Sequence, residues 1–167
     1  QFQLKLFEEI ESAGKDLNLK FYGVRALMSL RLEKNWGAWT LDFRPDFTAA
    51  ESGLDIFINW DKDFVGKESS LNEKKQGIKK KLVTMVVDTK DIDVTNDEAI
   101  LKDNKCVGYI TSGGYAHHIK KSMALGYVPL ELSKHETSLD VEINGNLYKA
   151  HVTDRPLYDA NGGKMKS

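Results

Sequence analysis

The spacing of apolar residues changes once along this 167-residue chain, and that change restricts its fold more than any other feature. Before about residue 80, apolar residues recur every three or four positions, as they do in amphipathic helices. Beyond it they form short runs separated by turn signals, which is typical of strands. We therefore predict an α+β protein with two domains, residues 1–80 and 81–167, of which the second is a small antiparallel β-barrel.

The first half is predicted to contain two helices. The first covers about residues 2–14, and Gly14 is expected to end it in a left-handed C-cap conformation. The second covers residues 22–34, where apolar and charged residues alternate with helical spacing. The apolar run at 54–60 predicts a mostly buried strand, and the polar, lysine-rich stretch at 71–81 predicts a linker.

Short runs bounded by turn residues predict the strands of the second half. They lie at residues 82–87, 100–101, 106–112, 122–128, 139–143 and 147–152. The dipeptide Asn144-Gly145 favours a type I′ turn between the last two runs, which would join them as a hairpin. The glycine-rich segment 112–115 lacks the lysine of a phosphate-binding loop, so we expect a tight turn or a bulge there.

The charge balance argues against nucleic acid as a partner. The chain has 24 Lys and Arg against 25 Asp and Glu, a net charge of −1, whereas a nucleic-acid-binding domain needs a basic surplus. The basic run at 79–81 is interpreted as a solvated linker rather than a binding patch. No apolar run approaches the roughly 20 residues of a membrane helix, and no secretory signal is visible, so no membrane partner is expected.

The cysteine and histidine residues predict no metal site and no nucleophile. Cys106 is the single cysteine, so we expect a buried structural thiol in a reducing compartment: the cytoplasm, or the mitochondrial matrix in a eukaryote. His117 and His118 are adjacent and would point to opposite faces of a strand, so they could not both bind one metal ion. No catalytic residue is predicted within this chain.

The first residues of the chain suggest that it is a piece of a longer polypeptide. It begins without methionine, inside what looks like a helix already under way. A processed N-terminus, or a preceding stretch too mobile to be observed, would explain the same feature.

Glu33 has two interpretations. It lies in the last turn of the second predicted helix, where the helix dipole disfavours a carboxylate. It is either a surface residue paired with Arg31 or Lys34, or a carboxylate that accepts two parallel hydrogen bonds from a planar ligand. Under the second interpretation, removing the charge would leave the stability of the ligand-free protein unchanged or slightly higher.

Separated motifs resemble the folate-binding aminomethyltransferase family, which includes the glycine-cleavage T-protein and the C-terminal portions of dimethylglycine and sarcosine dehydrogenases. The segment YGVRALMSLRLEK at 22–34 resembles the family's arginine–leucine–glutamate helix. The segments TSGGY at 111–115 and KKSMALGYVP at 120–129 resemble its C-terminal barrel signature. The segment FVGKE at 64–68 resembles its phenylalanine–isoleucine–glycine–basic motif, with Val65 in place of isoleucine. The forms SLRLEK at 29–34 and TSGGY at 111–115 look closer to the dehydrogenase branch.

The resemblance implies that the chain is the end of a folate-binding α/β domain followed by the barrel, with a tetrahydrofolate site between the domains of a cloverleaf fold. Glu33 would receive the ring donors of the pterin, which favours the ligand-binding interpretation. Tyr22 and Trp36 would form walls of the pocket, and Lys67 would lie near the glutamate tail. The family's catalytic aspartate lies upstream of the region matched here, so this segment alone is expected to be inactive.

The implied parent protein is a tetrahydrofolate-dependent enzyme of one-carbon transfer that acts on a methylamine-type small molecule. An upstream domain would complete it, and that domain would contain FAD if the dehydrogenase branch applies. One alternative is a non-catalytic folate-binding or assembly module of the same fold. Another is a structural barrel that docks onto partner domains.

Overall fold

A computed structural model describes residues 2–166, with the side chain of Met165 excepted. The helices are α1 (Gln3–Gly14), α2 (Val24–Glu33), α3 (Lys67–Gln76) and a single-turn α4 (Gly163–Lys166). The strands are β1 (Lys80–Val87), β2 (Ala99–Lys102), β3 (Lys105–Ala116), β4 (Lys121–Pro129), β5 (Ser138–Ile143) and β6 (Asn146–Thr153). The α+β class predicted from the apolar spacing is confirmed.

The strands form a closed barrel in the order β1-β4-β3-β2-β5-β6, and each neighbouring pair is antiparallel. The predicted barrel is therefore confirmed. Alternating side chains point inward and fill the barrel with apolar residues, among them Val83, Met85, Ile100, Ile110, Val141 and Val152. The hairpin turn at Asn144 and Gly145 has φ of 50° and 77°, as a type I′ turn requires.

A bulge interrupts β3 immediately before the glycine-rich segment 112–115, for which a turn or a bulge was predicted. Ile110 pairs with Gly126 and Ser112 pairs with Leu125, so Thr111 is an extra residue in the ladder. Successive residues of a regular strand point to opposite faces, but a bulge changes this alternation. As a result, the hydroxyls of Thr111 and Ser112 both reach one carboxylate, described below.

The last turn of α2 packs against the barrel. Its final residues are buried, whereas Val24 in the first turn is 70% exposed. Leu32 packs with Ala116 and Met123, and the Ser29 hydroxyl donates to the Tyr115 carbonyl at 2.6 Å. This docking fixes the C-terminal end of α2 against β3 and β4.

Two predictions about the region between α2 and the barrel are wrong. Residues 54–60 form turns and a short 3-10 helix at Asp55–Phe57, with Ile56 and Phe57 both 78% exposed, rather than a buried strand. A closed barrel offers no free strand edge, so this apolar run has no strand to pair with. The expected linker at 71–81 contains most of α3, whose Glu, Lys and Gln residues favour a helix without an apolar face.

Two residue-level predictions also fail. Gly14 is right-handed, with φ of −86°, and the left-handed residue after α1 is Asn18. A side chain at Gly14 would collide with Leu19, so glycine is required there for close packing. Cys106 is exposed rather than buried, because it lies at the start of β3, next to the β2–β3 turn and outside the filled part of the barrel.

Candidate functional site

Glu33 ends α2 and is completely buried. One carboxylate oxygen, Oε1, accepts a hydrogen bond from the backbone N–H of His118 at 2.6 Å. The other, Oε2, lies 2.8 Å from Nδ1 of the His118 ring. These two contacts offset the unfavourable position of a carboxylate at a helix C-terminus.

The interpretation of Glu33 as a surface carboxylate is wrong, because neither proposed partner contacts it. Arg31 instead forms an ion pair with Asp42 at 2.8 Å, and the Lys34 ammonium donates to the Asp159 carbonyl at 2.6 Å. Helical spacing placed all three near one another, but docking of α2 on the barrel turned Glu33 inward.

A cavity of about 260 Å³ lies at the C-terminal end of α2. It is lined by Tyr22, Leu27, Leu30, Arg31, Glu33, Lys34, Trp36, Tyr158, Asp159 and Lys164. Three of the predicted ligand-binding residues therefore share one cavity: Tyr22, Glu33 and Trp36. Lys67, the fourth, is not among the described residues that line it, and its ammonium donates to the Lys62 carbonyl at 2.8 Å.

The C-terminal segment, residues 158–164, forms one side of this cavity, and no sequence pattern predicted this. The Tyr158 backbone N–H donates to the Glu33 carbonyl at 3.2 Å, and its ring lies 4.6 Å from the His118 ring. Asp159 accepts from Lys34, which also lies over the Trp36 ring at 5.9 Å. The contacts of Glu33 with Tyr158 and of Lys34 with Asp159 each join residues 125 positions apart, and no local pattern signals them.

The electrostatics of the segment favour its attachment to α2. Desolvation alone would raise the pKa of the Asp159 carboxyl, but the Lys164 backbone N–H and the Lys34 ammonium donate to it and lower that pKa. A charged Asp159 near neutral pH keeps Lys34 at the rim of the cavity.

A second buried carboxylate, Asp42, holds this end of α2 in place. Its Oδ2 accepts from Arg31 at 2.8 Å and from the Ala38 backbone N–H at 2.7 Å. Its Oδ1 accepts from the hydroxyls of Thr111, at 2.5 Å, and Ser112. Asp42 thus links α2, the loop after it and the bulge of β3.

The same network includes Tyr127 and the backbone of Trp36. The Tyr127 hydroxyl donates to the Asp42 carbonyl at 3.0 Å, and burial raises the pKa of this phenol. Arg31 also donates to the Trp36 carbonyl at 3.1 Å, which fixes the start of the loop that contains this cavity wall. Asp42 was missed because one aspartate after a tryptophan-rich loop has no sequence signature.

Within residues 2–166, apart from the Met165 side chain, no group of three or more His, Cys, Asp or Glu residues is arranged to hold a metal ion. None of the helices in this part of the chain combines the length and the apolar character needed to cross a membrane.

Comparison with known proteins places these features in a family. The family model of the glycine cleavage T-protein C-terminal barrel domain matches residues 80–159, and the model of the GCVT N-terminal domain matches residues 1–62. The aminomethyltransferase T of the glycine cleavage system from Bartonella henselae has the same fold. Its TM-score is 0.84 at 23% identity, over 93% of this chain and 44% of that one.

Curated relatives fall into two groups. The mitochondrial dimethylglycine dehydrogenase of Mus musculus is 39% identical over 91% of this chain. The aminomethyltransferase of Caldanaerobacter subterraneus subsp. tengcongensis is 32% identical over 93% of it. The chain spans only 18% of the first protein and 42% of the second. Since two family models and both groups of relatives match along most of its length, the chain belongs to the glycine cleavage T-protein family, which includes aminomethyltransferases and dimethylglycine dehydrogenases.

Proposed function

We propose that this chain binds tetrahydrofolate and belongs to an enzyme that transfers one-carbon units from a methylamine-type small molecule. The observation that carries the proposal is the buried Glu33 carboxylate at the end of a cavity with Tyr22 and Trp36 in its walls. Membership of the family makes this the leading function for such a cavity.

The chemistry of the cavity fits the pterin ring. The pyrimidine edge of a pterin has two parallel N–H donors, and a carboxylate can accept both in a bidentate arrangement. A volume of about 260 Å³ suits one bicyclic ring, so the remainder of the folate would extend outward. Lys67 remains our candidate for the glutamate tail, on charge complementarity alone.

The protein's contribution would be positioning rather than acid–base chemistry. Tetrahydrofolate, when bound, supplies the amines that take up the one-carbon unit. Glu33 orients the ring, Tyr22 and Trp36 shield it from water, and the Arg31–Asp42 pair keeps α2 fixed. The catalytic aspartate expected for the family would come from an upstream domain, with FAD in a further domain if the dehydrogenase branch applies.

The exposed face of α1 supports contact with such upstream domains. Phe2, Leu6 and Ile10 are 79%, 61% and 52% exposed, although their spacing is that of a helix with one apolar face. An uncovered apolar face of this kind marks a protein interface. We propose that the remainder of a longer protein, as in the relatives, covers it.

The proposed compartment is the cytoplasm, or the mitochondrial matrix if the source is a eukaryote. The relatives that are named mitochondrial dimethylglycine dehydrogenases support the second option.

Titration calorimetry with tetrahydrofolate tests the role of Glu33. Loss of a charge-assisted pair costs about 2–4 kcal/mol, so Glu33→Ala should weaken binding about 30- to 1,000-fold. Glu33→Gln should be milder, because the amide oxygen still accepts while its nitrogen opposes a donor. Glu9→Gln, on the exposed side of α1, is the control. Unchanged affinity in both Glu33 variants would refute the proposal.

A further inference from the structure

His118 contacts both oxygens of the buried Glu33 carboxylate. The Glu33 side chain is 1% exposed, whereas that of His118, which contacts it, is 48% exposed. The backbone N–H and the ring nitrogen Nδ1 of His118 each contact one of the two carboxylate oxygens, at 2.6 and 2.8 Å. A ligand that donates to both oxygens must therefore replace these two contacts of His118.

The contacts of His118 match those expected of the ligand. An ionised carboxylate only accepts hydrogen bonds, so its contact with Nδ1 requires a His118 ring with a proton on that nitrogen. One residue thus offers two N–H donors, one to each oxygen of Glu33, as the edge of a 2-amino-4-oxopyrimidine ring would. Exchange of one donor pair for another leaves no buried acceptor unsatisfied, which removes the main cost of opening the contact.

We propose that His118 is an intramolecular competitor of the ligand ring for the Glu33 carboxylate. The closed state seen here must give way to an open one, in which His118 has left Glu33, before the ring binds. The inference rests on the proposed function, since it concerns the same carboxylate. His118 would then be a determinant of affinity. The apparent dissociation constant equals the intrinsic one divided by the fraction of the protein in the open state.

The position of His118 allows this exchange. It lies in the turn between β3 and β4, residues 117–120, outside the strand ladder. Its ring packs against Tyr158, which lines the cavity, so the exchange takes place beside the cavity wall. Ile119 packs against the cluster around Leu32 and anchors the turn, so movement of His118 does not require the hairpin to unfold.

Binding of free pterin, the 2-amino-4-oxopteridine ring alone, tests the inference in the full chain. His118→Ala removes the competing side-chain donor, so pterin should bind about tenfold tighter or better than to the unaltered chain. His118→Phe also lacks the donor and keeps an aromatic ring beside Tyr158, and it should bind tighter too if the alanine variant fails to fold.

Two further variants serve as controls. His118→Asn retains a short side-chain N–H donor and should bind pterin like the unaltered chain. His117→Ala alters the neighbouring residue of the same turn, whose ring contacts Tyr115 rather than Glu33, and should also leave the affinity unchanged.

The outcomes separate the inference from the proposed function. Equal or weaker pterin binding by His118→Ala and His118→Phe would overturn the inference and leave the proposed function standing, with His118 then holding Glu33 in place. Absence of pterin binding in the unaltered chain and in every variant would refute the proposed function and the inference with it. Tighter pterin binding by His118→Ala and His118→Phe, but not by the two controls, supports both the inference and the proposed function.

Discussion

Asp42 and Asp46 show that burial decides how much an ion pair contributes to stability. Each has a carboxylate oxygen 2.8 Å from an arginine nitrogen, but the pair with Arg31 is buried and the pair with Arg44 is largely exposed. An exposed ion pair contributes about 0–1 kcal/mol, whereas loss of one partner of a buried pair leaves an uncompensated charge and costs about 3–5 kcal/mol.

We therefore expect Asp42→Asn to lower the free energy of unfolding by about 3 kcal/mol or more. Asp46→Asn, the matched control at the same distance from its arginine, should lower it by less than about 1 kcal/mol. Urea unfolding followed by circular dichroism measures both. Similar losses in the two variants would show that Asp42 does not hold α2 on the barrel.

Glu33→Gln is expected to reduce stability even without ligand. The sequence analysis predicted little change or a slight gain, but the buried carboxylate accepts two hydrogen bonds from His118. A glutamine there sets an amide nitrogen against a donor, and His118 is half-exposed, so we expect a loss of about 1–2 kcal/mol. Glu9→Gln is the control for thermal or urea unfolding. An unchanged or increased stability would mean that His118 does not pair with Glu33.

At the level of single elements, strands β3 and β4 approach each other closely at Gly108. Among the glycines of the described barrel, this one permits the tightest contact with neighbouring backbone. A Cβ atom at Gly108 would lie 1.9 Å from the Tyr127 carbonyl oxygen, which is backbone and cannot move aside. Gly108→Ala should therefore cost at least about 3 kcal/mol or prevent folding.

Gly23→Ala is the control for this prediction. Gly23 precedes α2, and a Cβ atom there would meet nothing within 4 Å, so the cost should stay below about 1 kcal/mol. Comparison of soluble yield and urea midpoints distinguishes the two. A well-folded, equally stable Gly108→Ala protein would contradict the register of β3 and β4.

Elements whose residues carry their own local signal were predictable from the sequence. The strands and the Asn144-Gly145 turn follow from period-two spacing and positive φ, which short segments specify by themselves. The apolar run at 54–60 and α3 were not, because their structure depends on the barrel being closed and on contacts elsewhere. Periodicity cannot report either condition.

The candidate site divides in the same way. The sequence suggested three of the candidate residues. Tyr22 and Glu33 lie in a motif of consecutive residues, and Trp36 follows that motif closely. Asp42, His118 and Tyr158 were not found, since each acts through a contact more than ten positions away in the sequence or through burial. The glycines at 113 and 114 suggested a bulge nearby, but neither its place at Thr111 nor its role in binding Asp42 was predicted.

At the scale of the whole molecule, the chain alone should not catalyse one-carbon transfer. It spans 18% of a dimethylglycine dehydrogenase and 42% of an aminomethyltransferase among its relatives, and the proposed catalytic aspartate lies outside it. The predicted boundary between residues 1–80 and 81–167 stays a prediction.

Purified chain, incubated with tetrahydrofolate and a methylamine donor such as dimethylglycine, should form no more product than a control without protein. Folate binding without turnover would agree with the account, and also with a non-catalytic folate-binding module. Turnover above the control would place the catalytic groups within these 167 residues and refute the prediction.

The central claim is that Glu33 receives the donor edge of the pterin ring. A crystal structure of the full chain with tetrahydrofolate, prepared without oxygen, tests it most directly. The account predicts the ring in the cavity with Tyr22 and Trp36 in its walls, its two N–H donors on the Glu33 oxygens and His118 turned away. A ring bound elsewhere, or one bound while His118 still contacts both oxygens of Glu33, would contradict it.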